Sequence, residues 1–357
     1  MSSPRRRVRE LLRPVGRSRW GMAACLALAL GAILAVAAAL DRGEIGSAVA
    51  LGFVLTAVPS LPQAWRQAVT VMAVRSVAVL LGAGAAVLTV DHSVALGVAT
   101  VTAAVVGALA NRVGPTAGLA VVLVAVDLTH VAGAQQFPVA ALLSYAAGAA
   151  LVVVAWTVWF VGSRAVRSAE SPPRTFPTQL RPPGTSPAQP GPRDAGGHAV
   201  RVGVAVAVAV LLAGLLPDDL VGGHWLVTSV LLTVQPTAAD TGMRLAQRLS
   251  GNAVGALIAA VLLGARPGFV VIAAATVVLF TLAMALRPVN YTWWAVTGPP
   301  VLLVISEYPA LFPWYEGGVR LLMNLAGAAI VVAVVFGPLL LSRFTSRDRL
   351  PREDGFG

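Results

Sequence analysis

Arg248-Leu-Ser-Gly-Asn252-Ala-Val-Gly255-Ala256 recurs as Arg320-Leu-Leu-Met-Asn324-Leu-Ala-Gly327-Ala328. Each string opens an apolar run. Upstream lies a second matched pair, Trp225-Leu-Val-Thr228 and Trp294-Ala-Val-Thr297. The offsets are nearly equal, so a unit of three helices is duplicated in the second half of the chain. Three is odd, so consecutive copies in a membrane run in opposite senses. That is the inverted-repeat plan of many secondary transporters.

Composition says why a membrane is in question. The 357 residues are 57% hydrophobic and 11% charged, against roughly 25% charged in soluble domains. Mean hydropathy is +0.80. A span needs ~20 mostly apolar residues. The first half offers 22–40, 45–58, 69–90, 94–109, 117–131 and 138–161. The second offers 200–216, 225–234, 251–263, 269–286, 292–305 and 321–341. Several are short, so they extend into flanking polar residues, or are broken or re-entrant. The expected fold is all-α and integral to the membrane, with about twelve transmembrane helices in two six-helix halves, each an inverted pair of three-helix repeats. The lipid bilayer is then a partner.

The net charge is +11 and every basic residue is Arg. A nucleic-acid partner is rejected, because the charges lie between apolar runs, where they set topology. With twelve spans and a cytoplasmic N-terminus, Arg42, Arg266 and Arg320 fall outside. The blocks Arg5–Arg19, Arg164–Arg201 and Arg343–Arg352 fall inside. This places the chain in the inner (plasma) membrane with both termini cytoplasmic. Trp20, Trp156 and Trp159 fit the inner aromatic belt and Trp314 the outer one. The Arg-rich start resembles a signal peptide, but the run after it is too long for one, so helix 1 is retained.

The divisions are 1–21, an Arg-rich N-terminal segment; 22–162, the first half; 163–198, a cytoplasmic linker; 199–342, the second half; and 343–357, the tail. Ser171-Pro-Pro-Arg, Arg181-Pro-Pro-Gly and Pro190-Gly-Pro-Arg make the linker a disordered tether. The first half carries a faded repeat. Leu55-Thr56-Ala-Val-Pro59 echoes Leu232-Thr233-Val-Gln-Pro236, and Arg75 with Gly82-Ala83 echoes Arg248 with Gly255-Ala256. Val79 stands where Asn252 would, so the working polar groups belong to the second half.

Arg, Asn and Gly at these spacings share one helical face. The glycines Gly255 and Gly327 permit close helix packing, and Asn252 and Asn324 can hydrogen-bond across it. A guanidinium fork suits a carboxylate. Arg248 and Arg320, with Arg75, are therefore candidate contacts for a small organic anion. The plainer reading is a topological anchor and a packing motif. Trp225/Thr228 and Trp294/Thr297 could line a site for a planar ring; a belt tryptophan is the alternative. Gly298-Pro299-Pro300 inside an apolar run reads as a broken helix beside the path, and Gln235-Pro236 is a weaker candidate. Asp127, late in its helix with His130, is a proton-coupling candidate, although the nearby helix end makes its solvation cheap. Glu307–Glu316 reads as an outer lid or a belt segment. Cys25, alone, reads as a small buried hydrophobe, and no cluster has metal-ligand spacing. With no phosphate loop and no catalytic constellation, no enzyme activity and no cofactor are expected.

His224-Trp-Leu-Val-Thr-Ser-Val-Leu-Leu-Thr-Val-Gln-Pro236, followed by Arg244, Arg248, Gly251 and Gly255, resembles the fusaric acid resistance / aromatic acid exporter-like family. Arg320-x-x-x-Asn324-x-x-Gly327 is similar to that family's closing helix. Asn stands for the usual Thr in both motifs. The resemblance covers about 200–341 well and the first half by architecture. It implies efflux of aromatic or other organic anions, and a relation in architecture to plant aluminium-activated malate transporters. Longer members carry a soluble domain after the helices, and here only short tails follow. The expected function is a secondary transporter or channel-like exporter with its path between the halves. The alternatives are a different six-plus-six carrier, disfavoured because the loop at 60–66 has no acid, and a non-transporting scaffold for cell-envelope or lipid enzymes. A monomer would suffice; a higher oligomer stays open.

Overall fold

The computed structural model describes residues 14, 16–59, 61–110, 113–131, 138–169, 192–216, 222–265, 268–306 and 315–339. Among these there are twelve α-helices and no strand. They are α1 (Trp20–Ala39), α2 (Gly43–Ala57), α3 (Trp65–Thr89), α4 (Ser93–Leu109), α5 (Thr116–Val131) and α6 (Pro138–Ala169). Then come α7 (Pro192–Ala213), α8 (Gly223–Thr233), α9 (Ala238–Gly264), α10 (Phe269–Leu286), α11 (Tyr291–Ser306) and α12 (Glu316–Val331). A π-helical turn, Val332–Phe336, follows α12.

Six stretches are long and apolar enough to cross a membrane, and they lie in α1, α3, α6, α7, α9 and α12. The others are shorter; α8 has 11 residues, about 16 Å at 1.5 Å per residue, roughly half of a hydrocarbon core. The chain is thus a multi-pass membrane-embedded protein. Length alone supports six crossings and not the twelve expected.

Helix pairings recur along the chain. The pairs α2–α6, α3–α5, α4–α5, α3–α6 and α1–α2 have counterparts in α8–α12, α9–α11, α10–α11, α9–α12 and α7–α8. Between the first six helices and the last six, α1 packs on α10 as α4 packs on α7, and α2 meets α11 as α5 meets α8. Long helices fall at corresponding places, α1, α3 and α6 against α7, α9 and α12. Arg19 donates to the Leu61 carbonyl and Arg201 to that of Pro236, one such clasp at each echoing Thr-x-x-Pro segment. Buried cores cross the same boundary. Leu26, Leu30 and Trp156 cluster with Phe280 and Trp294, and Ala104 and Val122 with Trp225 and Val331.

Some boundaries differ from the sequence reading. Helix α9 begins at Ala238 and not near 251. Thr237 caps it: its hydroxyl donates to the Asp240 carboxylate and accepts from the Asp240 backbone N–H, as an N-cap side chain does. Helices α6 and α7 extend into the expected linker, to Ala169 and from Pro192. The residues 163–169 contain no proline, and Pro192 sits at the first helical position, where its missing N–H costs nothing. The Pro-rich 170–191, the lid at 307–314 and the tail from 340 lie outside the described residues, as do Trp314 and Arg266. Trp20 is half exposed, as a belt residue should be, but Trp156 is fully buried. It stacks on Phe160 at 4.9 Å and belongs to the core.

Candidate functional site: a buried arginine cavity

Two proline residues inside α11 decide the local geometry. Pro299 and Pro300 have no N–H, so the carbonyls of Ala295 and Val296 lose their helical donors. The helix is nevertheless continuous from Tyr291 to Ser306, and the expected break is not there. What replaces it is close approach by α9. A Cβ on Gly255 would sit 2.5 Å from the Val296 oxygen and 3.2 Å from that of Ala295. A Cβ on Gly251 would sit 2.4 Å from the Ala295 Cβ. Only hydrogens fit between these backbones. In the second copy, a Cβ on Gly327 of α12 would meet Ser229 at 2.9 Å and the Leu226 oxygen at 3.4 Å. Leu226 follows Trp225 as Ala295 follows Trp294. The glycines therefore seat α9 and α12 on the two Trp-bearing helices at matching points.

This packing turns the arginines inward. A cavity of about 60 Å³ is lined by Arg248, Asn252, Arg287, Arg320 and Asn324, by Trp225, Thr228 and Trp294, and by Val54–Pro59 and Pro115–Leu123 positions of the first six helices. No described lining residue is acidic. Arg248 Nη1 donates to Tyr291 Oη at 3.1 Å, and Nη2 donates to Asn324 Oδ1 at 2.9 Å. Asn324 Nδ2 donates to the Arg320 carbonyl at 2.7 Å. Arg320 Nη1 donates to the Pro299 carbonyl at 3.2 Å, and its guanidinium lies 3.7 Å over the Trp225 ring. Arg287 lies 4.8 Å over Trp294, and Arg244 3.7 Å over Tyr291.

Among the described residues, buried donors remain without acceptors: Nε of Arg248, Nε of Arg320, Nη1 of Arg287, Nδ2 of Asn252 and Nε1 of Trp225. A buried donor left unmade costs ~1–3 kcal/mol, more if charged. Several guanidiniums gathered without an acid are costlier still. Bound oxygens carrying negative charge would satisfy both deficits.

Of the expected residues, Trp225, Thr228, Arg248, Asn252, Trp294, Arg320 and Asn324 come together here. Thr297 does not line the cavity; its hydroxyl donates back to the Trp293 carbonyl at 2.7 Å. Thr228 likewise bonds its own helix, at the Trp225 carbonyl. Arg75 is buried but stands behind the cavity wall, donating to the carbonyls of Thr56 and Pro59. The indoles of Trp225 and Trp294, candidates either for a planar ring's site or for the aromatic belt, each have a guanidinium on a face. Arg248 lies ten residues into α9 and is 7% exposed, so it does not open its helix as a surface anchor. Arg287 was missed. It ends α10 as a cap residue, outside the repeated motif, and only its place beside Tyr291 in the fold marks it. Asp127 lies outside the cavity, held by Ser47 and Tyr145. It is 4% exposed, so the nearby helix end does not solvate it.

Residues 204–334 match the family model described as fusaric acid resistance protein-like. That is the family the sequence resembles. The match spans α8 to α12 with every cavity residue that they contribute, and does not extend over the first six helices. No curated protein and no solved structure matches the chain.

Proposed function

We propose that the protein is a membrane transporter for small organic anions, with aromatic carboxylates as the class to test first and efflux as the direction. The observation that carries this reading is a cavity with no acid in its described lining, whose arginine and asparagine residues keep buried donors without acceptors among the described residues. Arg248, Arg287 and Arg320 bind the anion, Asn252 and Asn324 orient it, and Trp225 and Trp294 hold the guanidiniums flat. Arg75 supports the wall at Pro59.

The recurring helix pairings support a path between two six-helix halves, and the matched glycine seats support an inverted pair of repeats within the second. At about 60 Å³ the cavity is far below the ~300 Å³ of a small ligand pocket. The halves must part along α1–α10 and α4–α7 to admit substrate. The arginine distribution supports a plasma-membrane location with both termini cytoplasmic. Energy comes from an ion gradient, or the path conducts passively as a channel.

Equilibrium binding of a radiolabelled aromatic carboxylate to the purified protein tests the site. Wild type should bind and be competed by other carboxylates. Arg287→Ala, which touches no repeated motif, should weaken binding as Arg248→Ala does. Undiminished binding by both variants would remove the cavity from the reading, and wild type that binds no organic anion would reject it.

A further inference from the structure

Asp127 and the Ile305 carbonyl share one hydroxyl. Ser47 Oγ of α2 lies 2.8 Å from Asp127 Oδ1 and 2.8 Å from the carbonyl oxygen of Ile305, near the end of α11. Tyr145 Oη of α6 lies 2.6 Å from Asp127 Oδ2. Both Ser47 and Tyr145 are buried. Three short oxygen–oxygen contacts need three hydrogens, and the two hydroxyls supply one each. Tyr145 gives its hydrogen to Oδ2. Ser47 can serve Asp127 or Ile305, but not both. Ser47 is the side chain that the structure sets against the Ile305 carbonyl. A proton on Oδ1 completes the chain: Asp127 donates to Ser47, and Ser47 donates to Ile305.

We propose that Asp127 is a proton-binding site whose proton latches α11 to the first six helices through Ser47. When the proton leaves, Ser47 turns its hydrogen to the carboxylate. The buried Ile305 carbonyl then loses the hydrogen that Ser47 gave it, and the end of α11 is loosened from the first six helices. The same helix carries Pro299, whose carbonyl holds Arg320 in the anion cavity. Proton state and anion site are thereby joined along one helix, with Ile305 six residues and under two turns from Pro299. Tyr145 is a titratable side chain in contact with Asp127. The other titratable or charged side chains on or beside the elements around it are Glu44 on α2, Arg66 and Arg75 on α3, Asp91 and His92 in the α3–α4 turn, His130 on α5 itself, Arg164 and Arg167 on α6, His224 on α8 and Tyr291 on α11; Arg75 is buried, and Glu44, Asp91 and His92 are exposed. The coupling to transport rests on the anion-path reading; the proton site does not.

Infrared difference spectroscopy of the purified full chain across a pH step separates the two. Wild type should show the C=O band of a protonated carboxyl that is lost as pH rises, and Asp127→Asn should lack it. Tyr145→Phe and Ser47→Ala should each shift the band, a readout that survives if one variant folds poorly. The side-chain amide of D127N would still offer Ser47 an N–H and so mimic the latched state. In proteoliposomes, D127N should lower the stimulation of anion uptake by an imposed pH gradient about ten-fold. A wild type without a titrating carboxyl band, or a band unchanged in D127N, overturns the proposal. A band that behaves as expected in a protein that binds no carboxylate upholds the proton site and sinks only the anion reading.

Discussion

Asn252 and Arg320 show how differently two residues of one motif work. Asn252 lines the cavity, and its buried Nδ2 has no acceptor among the described residues. Its pseudo-equivalent Asn324 is tied to Arg248 and to the Arg320 carbonyl. Asn252→Ala should therefore change Tm little, equivalent to no more than ~0.5 kcal/mol, yet weaken carboxylate binding about five- to ten-fold. A thermal melt beside a binding isotherm checks both parts. Asn324→Ala should instead lower Tm, because it strips Arg248 of a buried acceptor. Arg320→Lys keeps the charge and loses both the fork and the flat face over Trp225. Binding should fall about ten- to hundred-fold, the worth of a charged hydrogen bond of ~1.5–3 kcal/mol. Recovery of wild-type affinity in R320K would mean that charge alone suffices.

At the scale of the helix, glycine seats and caps do the positioning. Gly255→Ala would drive a methyl to 2.5 Å from the Val296 oxygen, a backbone atom that cannot step aside. It should destabilise by about 1–3 kcal/mol and reduce transport by displacing Arg248 on the same helix. Gly84→Ala in α3 meets nothing within 4 Å and should be neutral or slightly stabilising. Unequal Tm shifts in that pair check the packing account. The glycines and their spacing to Arg and Asn were legible in the sequence, because period and small size are local signals. The start of α9 was not. The apolar run starts only near 251, and the helix extends back past Arg248 and Arg244 because Thr237 caps it through the Asp240 N–H. The two prolines of α11 suggested a break, but local rules do not include the neighbour that compensates: α9 seats its glycines on the carbonyls that the prolines leave bare. Asp127 was legible as an intramembrane acid. Its partners Ser47 and Tyr145, 80 and 18 residues away, were not.

Across the whole molecule, the paired contacts α1–α10 and α4–α7 form two seams around one cavity. The faded repeat keeps the seams' small residues: a Cβ on Gly31 would meet Val277 at 2.5 Å, and one on Gly97 would meet Val210 at 2.9 Å. It loses the polar groups, as at Val79, which is fully buried where Asn252 stands in the second half. Repeat and hydropathy gave the helix number; what sequence could not give is that six of the twelve helices fall short of a full crossing, since length is fixed by caps and turns at both ends. The arginine cavity is the proposed place of the anion's passage. Uptake of a radiolabelled aromatic carboxylate into proteoliposomes, wild type beside Arg248→Ala and Arg320→Ala at equal reconstituted amounts, is the measurement that decides it. The expected result is saturable uptake by the wild type and about ten-fold or greater loss in each variant. Uptake retained by both folded variants would contradict it, and so would a wild type that moves none of a panel of organic anions.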